Sequence, residues 1–576
     1  MLNLTVLRRN TKISRLISIT RETYFSSTCN AFMDRKLPAE AESLSGPSFK
    51  RPRLDLEGEG NTPIPKELKT NLSPTGTGNV AEQPIDHDTS CDSPNKPKKS
   101  KDKNLRGRRR RDQVSRDEWQ ARNPDASKEP RLPKRECALM IGFCGSKYSG
   151  MQFQKTQPGL PEQRTIEGEL FKALVTAGAV SKDNSEDPVK VGLARAARTD
   201  AGVHAVGNIV SLKMIMSVPG VDDLCARINT LLPPDIRLWG FQRVQRSFNA
   251  RLLCDARKYT YFFPSYLLIP PKPGSHLNCV LREHATSQGC EIPWNNDPFW
   301  STIDPSTSTW QEDMIRKRAW RATPAHLERL RTIIQKFEKT HNFHNFTVAQ
   351  DPGDKTNNRF MKKLQVAEPA VYGETEWIAV SLDGQSFMLH QRKMMFALVM
   401  ICRTGTPNSL LDELFELTRV HIPKMPALGL LLEYPVFTGY NTRIAKKLAP
   451  SDPDYREPID FENYSEEMNS FKQQYIYDNM RSIEDRKGLF DGWIRSIDSY
   501  KGNDFLYLNP KGIIPPEAII RKGERRQDPF RERKVFNLTS FAEDDSEKVQ
   551  VEELTDEANE DVEESLTKKQ LEEAEG

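Results

Sequence analysis

The chain of 576 residues has no apolar run reaching the ~18 residues that a membrane-spanning helix needs, which excludes such a helix. It also lacks the cysteine spacings of small stapled folds. Its 9 cysteines, at positions 29, 91, 137, 144, 225, 254, 279, 290 and 402, include no C-x-x-C pair and no His/Cys cluster at zinc-finger spacing. Neither a disulfide scaffold nor a zinc ribbon is expected, and no metal ligands are assigned. An odd number of scattered thiols fits a reducing compartment, where cysteine serves as a small core hydrophobe. Apolar residues are few, 37% beside 28% charged residues and 39 prolines, the balance of a globular body diluted by unfolded sequence.

Net charge is small only in the sum. The total of +4 combines +8 in residues 1–132 (26 basic, 18 acidic), −12 in residues 543–576 (3 basic, 15 acidic) and +8 in residues 133–542. A basic body is thus hidden behind an acidic tail. Residues 1–32 set Arg8, Arg9, Lys12, Arg15 and Arg21 among Ser and Thr with Glu22 as the sole acid, the composition of a mitochondrial presequence or of an ordinary polar tail. Met33 follows directly, so a product starting there would lack that segment. Residues 33–133 are rich in Pro, Gly, Ser, Asn and charge and are expected to be disordered. Within them Lys96, Lys98, Lys99, Lys101, Lys103, Arg106 and Arg108 to Arg111, opposed by Asp102 alone, read as a nuclear localisation signal, a nucleic-acid-binding arm, or both.

Ordered sequence falls into two stretches of strands and helices, residues 134–263 and 325–440. Cys137 to Phe143 is a buried-strand run bounded by Gly145-Ser146. Ile166, Leu170, Leu174 and Val175 share a helix face after Thr165. Strands are expected at 209–213, 259–263 and 378–382, and helices at 327–337 and 387–402. Prolines punctuate residues 264–324 without clear periodicity, which predicts an insertion looped from the core. Residues 441–535 predict a helical extension with Phe471, Tyr475, Ile476 and Met480 as one stripe, and residues 536–576 an acidic disordered tail.

The most informative string is Arg198-Thr-Asp-Ala-Gly-Val-His-Ala205. An arginine two residues before an aspartate, on a backbone that Gly202 can bend, favours the charged form of a carboxylate, the form a nucleophile uses. Physics alone rates such a pair as a weak surface contact. The whole string, however, resembles the signature of the TruA family of tRNA pseudouridine synthases. Gly145-Ser-Lys-Tyr-Ser-Gly-Met-Gln152, Phe248-Asn-Ala-Arg251 with Ala256-Arg-Lys-Tyr-Thr-Tyr261, His341-Asn-Phe-His-Asn-Phe-Thr347, Gly384 to Gln391 and Pro426 to Glu433 are similar to further family segments in family order, of the eukaryotic multisite type. The likeness covers about residues 136–263 and 325–437, and more weakly 460–508.

The resemblance implies an α+β pseudouridine synthase fold, two α/β halves around a mostly antiparallel sheet with a central RNA-binding cleft. It implies Asp200 as the catalytic nucleophile, Tyr259 as the active-site tyrosine and Arg198 as the group that helps extrude the target nucleotide. Arg251, Arg392, Lys393 and His204 are the expected substrate-binding residues, although His204 also fits a role in shaping its loop. The family motif has one residue more between Gln391 and the following cations, so either Arg392 or Lys393 takes the place of the family's arginine. The implied reaction isomerises uridine in tRNA, with messenger or small nuclear RNA as further candidates, without a cofactor. Nucleus, and mitochondrion through the presequence, are the expected compartments. The alternative from another class is a catalytically silent tRNA-binding or RNA-chaperone protein on the same fold; the irregular Arg392/Lys393 region is the feature in its favour.

Overall fold

Ten strands form one mixed sheet in this computed structural model, which describes residues 132–537 apart from residues 156–162, 349, 448, 450, 453, 454, 522, 524, 525 and 527. The described residues belong to one compact unit, and residues 29–131, assigned to the other, lie outside them. The presequence and nearly all of the basic arm and acidic tail therefore also lie outside the described residues.

The apolar run at 137–143 is the centre of β1 (Lys134–Phe143), buried on both faces. It pairs antiparallel with β3 (His204–Ile215) and β4 (Ile236–Arg243), and β3 also carries the two-residue β2 (Ala194–Arg195). The other side of the sheet is β5 (Ala256–Pro264), β6 (Lys339–Asn342), β7 (Asn358–Val366), β8 (Ala370–Tyr372), β9 (Thr375–Gly384) and β10 (Leu430–Val436), in the overall order β4-β1-β3-β10-β5-β9-β7-β6. Residues 256–263, grouped by sequence with the first half, are thus hydrogen-bonded into the second, between β9 and β10. The halves meet where β10 pairs parallel with β3, Leu431 opposite His204 and Leu432 opposite Ala205. All other strand pairs among the described residues are antiparallel.

Helices cover the strands where the 3.6-residue period demands it. Thr165 caps α1 (Ile166–Thr176) by accepting the Gly168 N–H at 3.2 Å. The helix α2 (Leu224–Leu231) starts on Asp223 in the same way. Residues 264–324 are not a loop thrown clear of the body. They contain α3 (His276–Ser287) and α4 (Trp310–Ala319), and Leu277, Leu281 and Trp300 are buried. Their helices are separated by proline-bearing stretches and find their partners far along the chain, as Trp310 and Lys317 do in Asp491. The helix α5 (Pro324–Gln335) follows, with Leu327, Leu330, Ile333 and Ile334 buried as their spacing predicts.

The apolar stretch 387–402 was expected as one helix, but α6 (Lys393–Arg403) begins six residues later. His390 stands at φ 59°, a left-handed conformation that an apolar pattern cannot reveal and that an α-helix cannot contain. Beyond β10 come α7 (Thr438–Lys447), α8 (Ser465–Phe471), a π-helical turn (Lys472–Tyr477), α9 (Asp478–Lys487) and α10 (Leu489–Asp498). Phe471, Ile476 and Met480 are buried, and Phe471 meets Trp239 of β4 edge-on at 5.5 Å. The described residues between 499 and 537 are largely irregular rather than helical. Arg403 at the end of α6 forms a bidentate pair with Asp498 of α10, both bonds 2.6 Å. The extension therefore grips the helix whose other end approaches the parallel seam of the sheet.

Candidate active site

Asp200 lies in the loop between β2 and β3, beside that seam, and three anchors hold the loop. Buried Asn208 of β3 accepts the Ala197 N–H at 3.2 Å and donates to the Ala197 carbonyl at 2.9 Å. Arg257 of β5 donates to the Ala196 carbonyl at 2.8 Å. From the other side, the Met151 N–H donates to the Thr199 carbonyl at 3.1 Å. The turn at 145–151 comes so close that a Cβ on Gly145 would lie 2.0 Å from the Val203 carbonyl oxygen, an approach only glycine allows. Gly202, at φ 77°, makes the bend that follows Asp200.

Across the cavity the left-handed turn at His390 aims its neighbour back at the aspartate. Arg392, at the N-cap of α6, donates from Nη1 to Asp200 Oδ2 at 2.6 Å and from Nε to the Met425 carbonyl at 3.0 Å. The arginine side chain is 3% exposed and the aspartate 29%, so the carboxylate is held from behind and open in front. This resolves the choice left by the one-residue irregularity: Arg392 meets Asp200, while Lys393 starts the helix and is not part of the cavity lining. His390 Nε2 stands 3.7 Å from the same carboxylate oxygen. Burial first, then the charges of Lys424, Arg392 and Lys393, push its pKa well below the ordinary value, so it faces Asp200 as a neutral imidazole.

Tyr259 of β5 lines the cavity with Arg198, Arg257, Phe387, His390 and Leu430. Its ring meets Phe387 edge-on at 4.8 Å. Burial raises its hydroxyl pKa well above the ordinary phenol value, against the opposing charge of Arg257, so it carries its proton. Tyr261 shares that face, while Thr260 points to the other and donates to Glu433 at 2.8 Å. Arg198 is half-buried in the cavity wall, and its charge reaches Glu167, a fully buried carboxylate paired with Arg195 at 2.5 Å.

Besides Lys393, two more expected substrate-binding residues lie outside the cavity lining. His204 is fully buried, and its Nδ1 accepts the Gly145 N–H at 3.1 Å. Burial, partly opposed by the Leu428 carbonyl, pushes its pKa down to about 4. It ties the 145–151 turn to the seam, which fits its loop-shaping role and leaves no face for RNA. Arg251 is half-buried in the turn before β5, outside the cavity lining, with its N–H donating to Asn249 Oδ1 at 3.0 Å. Sequence reasoning missed Asn208, Arg257 and His390. Arg257 had a signal, because in a strand it must share a face with Tyr259 two residues on. Among the described residues no group of three or more His, Cys, Asp or Glu side chains is placed to hold a metal ion.

Cavity and sheet together define an enzyme built around one arginine-held carboxylate at the seam of an α+β scaffold. No protein-family model matches the chain. Curated relatives do. The chain is 39% identical over 428 residues to tRNA pseudouridine synthase 1 of Candida albicans, covering 65% of this chain and 68% of that protein. It is 39% identical over 493 residues to tRNA pseudouridine synthase 1 of Saccharomyces cerevisiae (74% of this chain, 87% of that one) and 34% identical over 389 residues to the tRNA pseudouridine(27/28) synthase of the same yeast (62% and 98%). The chain belongs to the TruA family of tRNA pseudouridine synthases.

Proposed function

We propose that this protein isomerises uridine to pseudouridine at several positions in tRNA, with Asp200 as the reacting carboxylate, on a pseudouridine synthase fold whose two halves flank an RNA-binding cleft. The observation that carries the reading is a partly exposed Asp200 held by buried Arg392 at 2.6 Å in a cavity walled by Tyr259. The reaction breaks the C1′–N1 bond, turns the freed uracil and rejoins it through C5. Asp200 attacks the ribose or removes the proton that opens the glycal route, and the bond from Arg392 holds it in place for either. Tyr259, protonated, offers a ring for stacking and a hydroxyl that donates a hydrogen bond. A stacked uridine must leave its helix at a cost of a few kcal/mol, and Arg198 in the cavity wall is placed to take the vacated space. Messenger and small nuclear RNA are further candidate substrates. The basic arm and the N-terminal segment, which support a nuclear and a mitochondrial pool, lie outside the described residues.

The silent RNA-binding alternative rested on the irregular Arg392/Lys393 region, and Arg392 in contact with Asp200 removes that support. Incubating Asp200→Ala and wild-type protein with uridine-containing tRNA transcripts and mapping pseudouridine tests the proposal. The variant is expected to bind tRNA nearly as wild type and to form no product; product at the wild-type rate refutes it.

A further inference from the structure

Arg257 is 4% exposed, yet it forms no ion pair among the described residues. Its guanidinium donates to two carbonyls, Ala196 at 2.8 Å and Gln385 at 3.1 Å, and its Nε is buried without a hydrogen-bond partner. A buried charge left without a counter-ion is expensive, and folds rarely keep one that has no use. The carboxylate nearest in the cavity wall, Asp200, already belongs to Arg392. The missing negative charge must come from elsewhere, and its place is beside Tyr259, on the same strand face two residues away.

The isomerisation proposed above generates such a charge. When the C1′–N1 bond breaks, its electron pair stays on N1 and uracil departs as an anion, delocalised onto its two carbonyl oxygens. C5 of that anion then bonds C1′, C5 loses its proton, and one proton returns to N1, so atoms and charge balance. We propose that Arg257 is an electrostatic stabiliser of the uracil anion, a fixed positive charge behind the base that matters more after cleavage than before it. The flanking phosphates are the other anions of the substrate. They stay on the ribose side in both states, so a phosphate partner would lower KM, whereas a partner for the anion raises kcat.

The test uses full-length protein and two tRNA transcripts, one with uridine and one with 5-fluorouridine at the modified positions, in single-turnover assays that follow loss of the C1′–N1 link. Fluorine withdraws electrons, so that base leaves with less help. Arg257→Gln is expected to lower the cleavage rate on the uridine tRNA about 10²-fold and on the fluorinated tRNA by about 10-fold or less, since removing one preorganised donor costs on the order of 10²–10³. Arg257→Lys, which keeps the charge, is expected to recover most of the difference between the two substrates. Equal losses on both tRNAs would mean that Arg257 only holds the Ala196 loop, and a change confined to KM would mean a phosphate contact; either overturns the inference. A wild-type protein inactive on both transcripts would instead overturn the isomerase reading on which the inference rests. Thermal melting of both variants separates misfolding from lost chemistry.

Discussion

Two places in this molecule bury opposite charge, and they settle it differently. The cavity carries Arg198, Arg257 and Arg392 against Asp200. The contact between the 264–324 segment and the C-terminal helices carries Glu484 and Asp491. There Asp491 is fully buried and meets Lys317 at 2.6 Å, Arg495 at 2.7 Å and the Trp310 indole N–H at 2.7 Å. Burial would raise its pKa, but Lys317 and Arg495 hold it below the ordinary value. Glu484 pairs with no cation among the described residues, taking the Tyr266 hydroxyl and the Phe490 N–H instead. Burial pushes it up to about 7, so below that pH it is satisfied by a proton. A contact made to hold the fold settles its charge with its own groups or with a proton. The cavity leaves Arg257 without a counter-ion, which is what the proposed stabilisation of an anionic intermediate requires.

The contrast breaks most sharply at Arg392. Arg392→Met is expected to lower kcat about 10³-fold by freeing Asp200 to move, with the melting temperature nearly unchanged because the carboxylate is 29% exposed. Rate and melting curve measured on the same preparation check this; a large stability loss with modest rate loss would make the cavity pair structural. At the fold-holding pair between Arg403 of α6 and Asp498 of α10 the expectation reverses. Asp498→Ala strands buried Arg403 and should cost about 3 kcal/mol or more of stability, read as a lower urea midpoint, while the rate per folded molecule at low temperature stays close to wild type. A rate loss comparable to that of Arg392→Met would show that the grip on α6 reaches the cavity.

The same division marks what was legible in the sequence. Asp200 announces itself in one contiguous string, because its loop is bent at Gly202 and anchored through Ala197 and Thr199, its neighbours in the sequence. Arg392 was narrowed to two candidates and no further, since the choice turns on a left-handed His390 that no periodicity reveals. His204 sits inside the motif and reads as a contact residue, whereas its burial and its bond to Gly145 depend on a turn 59 residues earlier. The 264–324 segment was read as loose because its anchors are remote: Trp310 and Lys317 meet Asp491, which lies 181 and 174 residues along the chain. Short helices whose stability comes from distant partners carry little local signal.

Glu484 probes the proton directly. Its pKa is about 7 in the folded protein against an ordinary 4.5. Below pH 4.5 both folded and unfolded chains hold the proton, and its contribution to stability is complete. Between 4.5 and 7 the unfolded chain releases the proton while the folded one keeps it, so stability falls as pH rises, by up to about 1.4 kcal/mol per pH unit. Above 7 the folded carboxyl ionises too, and the contribution is gone. Glu484→Gln mimics the protonated form, its oxygen accepting the Phe490 N–H and its amide donating to the Tyr266 oxygen. Urea midpoints from pH 5 to pH 8 should therefore decline less steeply in the variant, with the gap between the two proteins widening toward pH 8. Parallel pH profiles would mean that Glu484 is ionised in the fold, and the contrast between a contact neutralised by a proton and a cavity left positive would lose its first member.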